Sequence, residues 1–331
     1  MGRPVDLVEI WRGDLLESVH QGHVVICDAS GQIVEAWGDP EAIIYPRSSS
    51  KMLQAIPLIE SGAAKAFGLT EQQLALSCAS HQGSHIHLKP VAAWIKELGL
   101  SDDDFRCGPQ ESRDKDVRDE MIRAGEPVCR IHNNCSGKHA GFLTLTKHLK
   151  AGSEYHEIDH PVQQACKATF EELTRETSPM FGIDGCSAPN HASTLHGLAR
   201  AMAFFASAED RSDTRSVAAA QLTKAMATYP ALVAGETRAC TDLMRAMGHK
   251  VAIKTGAEGV FVAIVPEKRL GIALKIADGG TRASEAAIAA ILVRSGVLDP
   301  AHPAAIARMT PEITNFGGLV TGFIRPSAAL R

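Results

Sequence analysis

Val251-Ala-Ile-Lys254, Gly259-Val-Phe-Val-Ala-Ile-Val265 and Leu270 to Ile276, with the turn Pro266-Glu-Lys-Arg269 before the last, decide the fold. Each run is short, rich in β-branched residues and bounded by turn formers, so the three read as an antiparallel meander. The N-terminus answers with Val5 to Ile10, then Val24-Val-Ile-Cys27, the turn Asp28-Ala-Ser-Gly31 and Ile33-Val-Glu-Ala-Trp37, the last two runs forming a hairpin. Between these ends the apolar residues recur with a helical period. Helices are expected over Ser48–Glu60, Gln72–Ala79, Lys89–Leu98, Asp116–Ala124, Gly141–Leu149, Val162–Thr174, Thr194–Ala208 and Val217–Thr228, and again over Ser284–Val293 after the meander. Pro57 is expected to kink or shorten the first of these. Strands at both ends of a helical block imply one antiparallel sheet built from N- and C-terminal segments, with an inserted helical lobe. The chain is expected to be a single α/β domain over 1–331, its sheet from about 1–46 and 247–325, its lobe from about 47–246, with a cleft between them.

Composition removes several classes of function. The 331 residues carry 34 Lys plus Arg against 38 Asp plus Glu, a formal charge of -4, and no basic stripe, which argues against nucleic acid as a partner. The apolar run Ala286–Val293 is far shorter than the roughly 18 residues of a membrane span. With Asp6 and Glu9 in place of an apolar leader, a cytoplasmic protein is expected. The eight cysteines contain no CxxC pair and are expected to be free thiols.

Ser48-Ser-Ser-Lys51 spells SxxK at a helix start, which sets a hydroxyl and an amine on one face, a nucleophile beside a base. The string alone is weak, because Ser112-Arg-Asp-Lys115 repeats it inside a charged run read as a solvated face. Lys254-Thr-Gly256 on the first meander strand strengthens the reading, since KTG accompanies SxxK in serine β-lactamases and penicillin-binding proteins. No SDN follows, but Ser80 in Cys78-Ala-Ser-His81 offers a second hydroxyl, with His81 beside it. His156-Glu-Ile-Asp-His160 matches the zinc protease string, yet Pro161 keeps His160 out of the α region, so a metalloprotease is not expected. Asn133-Asn-Cys-Ser-Gly-Lys-His139 and Gly182-Ile-Asp-Gly-Cys186 are glycine-bearing and polar, as active-site loops are.

Arg47-Ser-Ser-Ser-Lys51, Cys78-Ala-Ser-His81, Arg106-Cys-Gly108, Asn134-Cys-Ser-Gly-Lys-His139, Asp184-Gly-Cys186, Val233-Ala-Gly-Glu236 and Lys254 together resemble the L-asparaginase II family of rhizobial type, over about Val5 to Gly322. The resemblance implies a serine β-lactamase-like fold, a homodimer, and hydrolysis of L-asparagine to aspartate and ammonia. It further implies two serine-lysine tandems, Ser48 with Lys51 and Ser80 with Lys254, in one pocket, and a zinc held by Cys135, Lys138 and Cys186. Asp184 and His139 then lie around substrate or metal, and Arg47 and Asp184 are expected to meet the α-carboxylate and α-ammonium of the substrate. Two other readings stay open: a β-lactamase or D,D-peptidase, and a non-catalytic amino-acid or zinc-binding protein on the same fold.

Overall fold

The computed structural model describes residues 2–331, and these divide into two compact units. One holds the chain up to Ser49, Ser193–Ser207 and Ala239–Arg331; the other holds Ser50–Ala192 and Ala208–Arg238.

The first unit is built on an eight-stranded antiparallel sheet. Its strands are β1 (Val5–Arg12), β2 (Leu15–Cys27), β3 (Ile33–Trp37), β4 (Ala252–Thr255), β5 (Val260–Val265), β6 (Leu270–Ile276), β7 (Glu312–Thr314) and β8 (Val320–Pro326). They run in the order β7-β8-β1-β2-β6-β5-β4, with β3 also paired to β2. The N-terminal hairpin and the C-terminal meander meet at β2 and β6, where Ile26 faces Ile272 and Val24 faces Leu274. All six residues of β5 are buried, so this strand is covered on both faces and reads as a continuous apolar run rather than an alternation. The helices Leu195–Ala206 and Thr281–Arg294 supply the cover; Thr194 caps the first, its side chain accepting the Gly197 N–H at 2.8 Å. β7 and β8 escaped the sequence reading, because Glu312–Thr314 is only three residues long and β8 is only half apolar.

The second unit is mostly helical, with helices Lys51–Glu60, Glu71–Ser77, His85–Glu97, Lys115–Ala124, Ser136–Leu149, Pro161–Thr174 and Thr214–Thr228. Ser136–Leu149 is its axis: every residue from Ser136 to Thr146 is buried, so this helix is enclosed on all sides. Two starts differ from expectation. The first helix begins at Lys51, after a 3₁₀ turn over Arg47–Ser50, and runs through Pro57 to Glu60. The axial helix begins five residues before Gly141, so its first turn carries the polar motif taken for a loop. His156–His160 lies in turns; His160 caps the next helix by accepting the Val162 N–H, with Pro161 at the first helical position. All eight cysteines are free. Among the described residues no helix is long and apolar enough to cross a membrane.

Candidate active site

The second unit gathers five predicted residues around one buried charge cluster. Lys51, the first residue of its helix, is 1% exposed, and its Nζ donates to the Ala79 carbonyl and to Cys135 Sγ at 3.0 Å. Ala79 stands in the segment leaving helix Glu71–Ser77; the next residue, Ser80, is buried and donates its N–H to the Val233 carbonyl at 2.9 Å. His81 then donates its N–H to the Asn134 carbonyl at 3.0 Å. Gly137 explains how these segments come so close: a Cβ there would lie 2.4 Å from the Leu76 carbonyl oxygen, so only glycine admits that backbone.

Cys135, Lys138 and Cys186, which the resemblance implied as zinc ligands, lie close together. Lys138 Nζ lies 3.1 Å from Cys186 Sγ, and both side chains are buried. The two thiols are shifted in opposite directions. Cys135 and the Lys138 ammonium hold Cys186 well below the ordinary thiol range, while Cys186 and burial hold Cys135, whose thiol donates to Asn134 Oδ1 at 3.2 Å, well above it. Burial is the largest single influence on Lys138 and pushes it toward its neutral form, but Cys186, Cys135 and Asp184 together outweigh it and the net shift is upward. The arrangement therefore sets one lysine amine on each sulfur, Lys138 on Cys186 and Lys51 on Cys135.

His139 completes the cluster. Burial pushes it down to about 4, so the ring is neutral. The Arg106 N–H donates to the Tyr155 phenol oxygen at 2.8 Å, which leaves the phenol proton to donate to His139 Nδ1 at 2.9 Å. The ring proton then sits on Nε2, which is buried without a hydrogen-bond partner, while Cys186 opposes the downward shift of the ring. Tyr155 was missed by the sequence reading, since a lone buried tyrosine sixteen residues from His139 carries no local signal.

Asp184 and Cys186 lie on the turn of a two-stranded hairpin, Phe181–Ile183 with Pro189–His191. The turn is closed by the Asp184 N–H donating to the Ala188 carbonyl at 3.0 Å and the Ser187 N–H donating to the Asp184 carbonyl at 2.9 Å. This hairpin turns Cys186 inward to 2% exposure, and the half-buried Asp184 adds to the field that holds Lys138 protonated. Among the described residues no three His, Cys, Asp or Glu side chains are grouped to hold a metal.

Arg47, Ser48 and Lys254 belong to the first unit. Arg47 adopts φ 55°, a left-handed conformation that costs a non-glycine residue roughly 1 kcal/mol and recurs at functional turns. Ser49, just after the half-buried Ser48, donates both its hydroxyl (2.7 Å) and its N–H (3.2 Å) to the Pro46 carbonyl, which fixes the turn. The KTG strand end closes on the same turn: a Cβ on Gly256 would lie 2.5 Å from the Pro46 carbonyl oxygen and 3.3 Å from the Ser49 nitrogen. Lys254 is fully buried and its Nζ donates to the Thr255 carbonyl at 2.8 Å. Ser112 of the second SxxK is not the bystander its charged run suggests. It is 2% exposed, with Oγ 3.1 Å from the Gly83 carbonyl and accepting the Asp114 N–H at 3.1 Å.

Among solved structures, the chain is similar to Mglu in its native form, at 11% identity over 90% of this chain and 71% of that one, with a TM-score of 0.44. It is also similar to a beta-lactamase from Mycobacterium bovis, at 13% identity over 84% of this chain and 95% of that one, with a TM-score of 0.46. No curated protein sequence matches it. Residues 8–326 match the model of one family, L-asparaginase II, and the chain belongs to that family.

Proposed function

We propose that this protein hydrolyses the side-chain amide of L-asparagine to L-aspartate and ammonia through an ester on Ser48. Family membership makes it an asparaginase-type amidohydrolase. The observation that carries the finer reading is the fully buried Lys51 amine, three residues after Ser48 and held by the Ala79 carbonyl and Cys135 sulfur. An amide is a poor electrophile and a serine hydroxyl a weak nucleophile, so the reaction needs a base at the hydroxyl and an acid at the departing nitrogen. In this reading Ser48 Oγ attacks the amide carbon and Lys51 takes its proton. The tetrahedral intermediate then collapses with that proton passing to the nitrogen, and ammonia leaves. Water attacks the resulting ester in the same way, giving aspartate and restoring Ser48. Ser80 and Lys254 relay protons, while Arg47 and Asp184 meet the α-carboxylate and α-ammonium.

Two sulfurs and an amine in one buried cluster suit zinc by donor type, with Cys135, Lys138 and Cys186 as the holding residues and His139 beside them. The bound ion would supply positive charge for positioning substrate. Lysine coordinates only when neutral, so binding has to displace the proton that Cys186, Cys135 and Asp184 together keep on Lys138. The nucleophile stays with Ser48, and chelation is expected to raise KM more than it lowers kcat. Unchanged kinetics after metal analysis and chelation would remove zinc from the reading.

The reading also takes the protein as a cytoplasmic homodimer; light scattering checks the assembly against the 35.3 kDa protomer. The deciding experiment is ammonia release measured on asparagine and glutamine, with nitrocefin turnover alongside. Turnover of asparagine alone or with glutamine supports the proposal, and turnover of nitrocefin alone overturns it.

A further inference from the structure

We propose that His81 is a positioning residue for the Lys51 amine, an inference that rests on the hydrolase reading above. His81 is completely buried, and its backbone N–H and both ring nitrogens are hydrogen-bonded. Its N–H donates to the Asn134 carbonyl at 3.0 Å, and its Nδ1 accepts the Gly83 N–H at 3.1 Å. Because Nδ1 accepts, the ring proton is on Nε2, which donates to Ser136 Oγ at 3.0 Å. The ring stacks on His87 with centroids 4.8 Å apart and planes 11° from parallel. His87 is itself pinned, Nδ1 accepting the Ser84 N–H at 3.2 Å and Nε2 donating to the Ala231 carbonyl at 2.8 Å.

The two atoms that hold Lys51 Nζ come from different segments: the Ala79 carbonyl, two residues before His81, and Cys135 Sγ, between Asn134 and Ser136. His81 joins those segments twice, by its backbone to Asn134 and by its ring to Ser136, so it sets the spacing of the two Lys51 acceptors. A core-filling role asks only for volume. Here the side chain's two nitrogens bridge from the Gly83 backbone on one segment to a hydroxyl on the other, which an apolar residue of equal volume cannot do.

Asparagine and glutamine separate the two ring functions, because the glutamine amide nitrogen falls near the place of Nε2 and the asparagine amide near Nδ1. His81→Gln keeps the donor to Ser136 and is expected to retain kcat on L-asparagine within about 5-fold. His81→Asn and His81→Leu lose that donor and are expected to lower kcat by roughly 10- to 100-fold with KM changed less than about 3-fold. Ser136→Ala is expected to match His81→Leu, and to add nothing when combined with it. A second readout needs no turnover: the ¹⁵Nζ signal of Lys51, assigned by its loss in Lys51→Met, should shift in His81→Leu and return in His81→Gln. Equal kinetics and an unmoved Lys51 signal in folded His81→Leu would overturn the inference, as would equal losses in all three His81 variants. If His81→Leu fails to fold, Ser136→Ala and His81→Gln decide by the same criteria. Wild-type protein that releases no ammonia refutes the hydrolase reading, and the Lys51 signal then judges the positioning of the amine on its own.

Discussion

Replacing Lys51 by arginine separates a base from a mere positive charge. The side chain is 1% exposed, with its amine bound by the Ala79 carbonyl and by Cys135 Sγ at 3.0 Å. Arginine keeps the charge and can donate to both acceptors, but its guanidinium stays protonated and cannot accept a proton from Ser48. A lost general base costs about 10²- to 10⁴-fold, or about 3–5 kcal/mol of barrier at 1.36 kcal/mol per decade. The larger head group must also be forced into a closed site, which costs about 1–3 kcal/mol of stability. For a unit of this size that is a fall of roughly 2–12 °C in melting temperature. Lys51→Met is the companion variant: it fits the volume, discards the charge, and leaves the Ala79 carbonyl without its donor at a cost of about 1–3 kcal/mol. Initial rates of ammonia release from L-asparagine, scaled to the folded fraction from a melt, should fall by about the same 10²- to 10⁴-fold in both variants. Arginine within about 10-fold of wild type, with methionine far below it, would show that Lys51 acts only through its charge and would refute the assignment.

Four further outcomes are expected. Ser48→Ala should lower ammonia release by at least about 10³-fold with the melting temperature nearly unchanged, because a half-buried turn serine contributes little to the fold; activity near wild type removes Ser48 as nucleophile. Gly256→Ala should lower both stability and kcat/KM, since its Cβ would sit 2.5 Å from the Pro46 carbonyl, whereas Gly185→Ala, whose Cβ meets nothing within 4 Å, should leave stability unchanged; similar melts for the two would contradict the packing argument. Ser112→Ala should cost about 1 kcal/mol in a denaturant titration while kcat is kept, as befits a buried loop anchor rather than a nucleophile. His81 and His87 are both held below the ordinary histidine value of 6.5, mainly by burial, so the folded chain binds fewer protons than the unfolded one below that pH. Stability present above pH 6.5 is therefore lost as pH falls through it, and melts between about pH 7 and pH 5 should show a shallower decline in His87→Gln than in wild type.

The sequence by itself determined the order of elements and supplied the candidate residues of the site. The meander at β4, β5 and β6 and the hairpin of β2 and β3 were legible because strand period, β-branched content and turn residues agree locally. The convergence of Cys135, Lys138 and Cys186 followed from family motifs, and the geometry gathers them. Only the tertiary structure decided where helices begin at the site, because both starts, one later and one earlier than expected, depend on contacts distant in the chain. Lys51 starts its helix with its amine held by residues 79 and 135, and the axial helix can start at Ser136 because Gly137 lets the Leu76 backbone pass. Ser112 shows the converse: its SxxK string is indistinguishable from that of Ser48 in sequence, yet burial against Gly83 makes it a structural anchor. His81 and Tyr155 were illegible as positioning groups, since a tautomer is fixed by which donors and acceptors surround a ring, and those are brought to it by the fold.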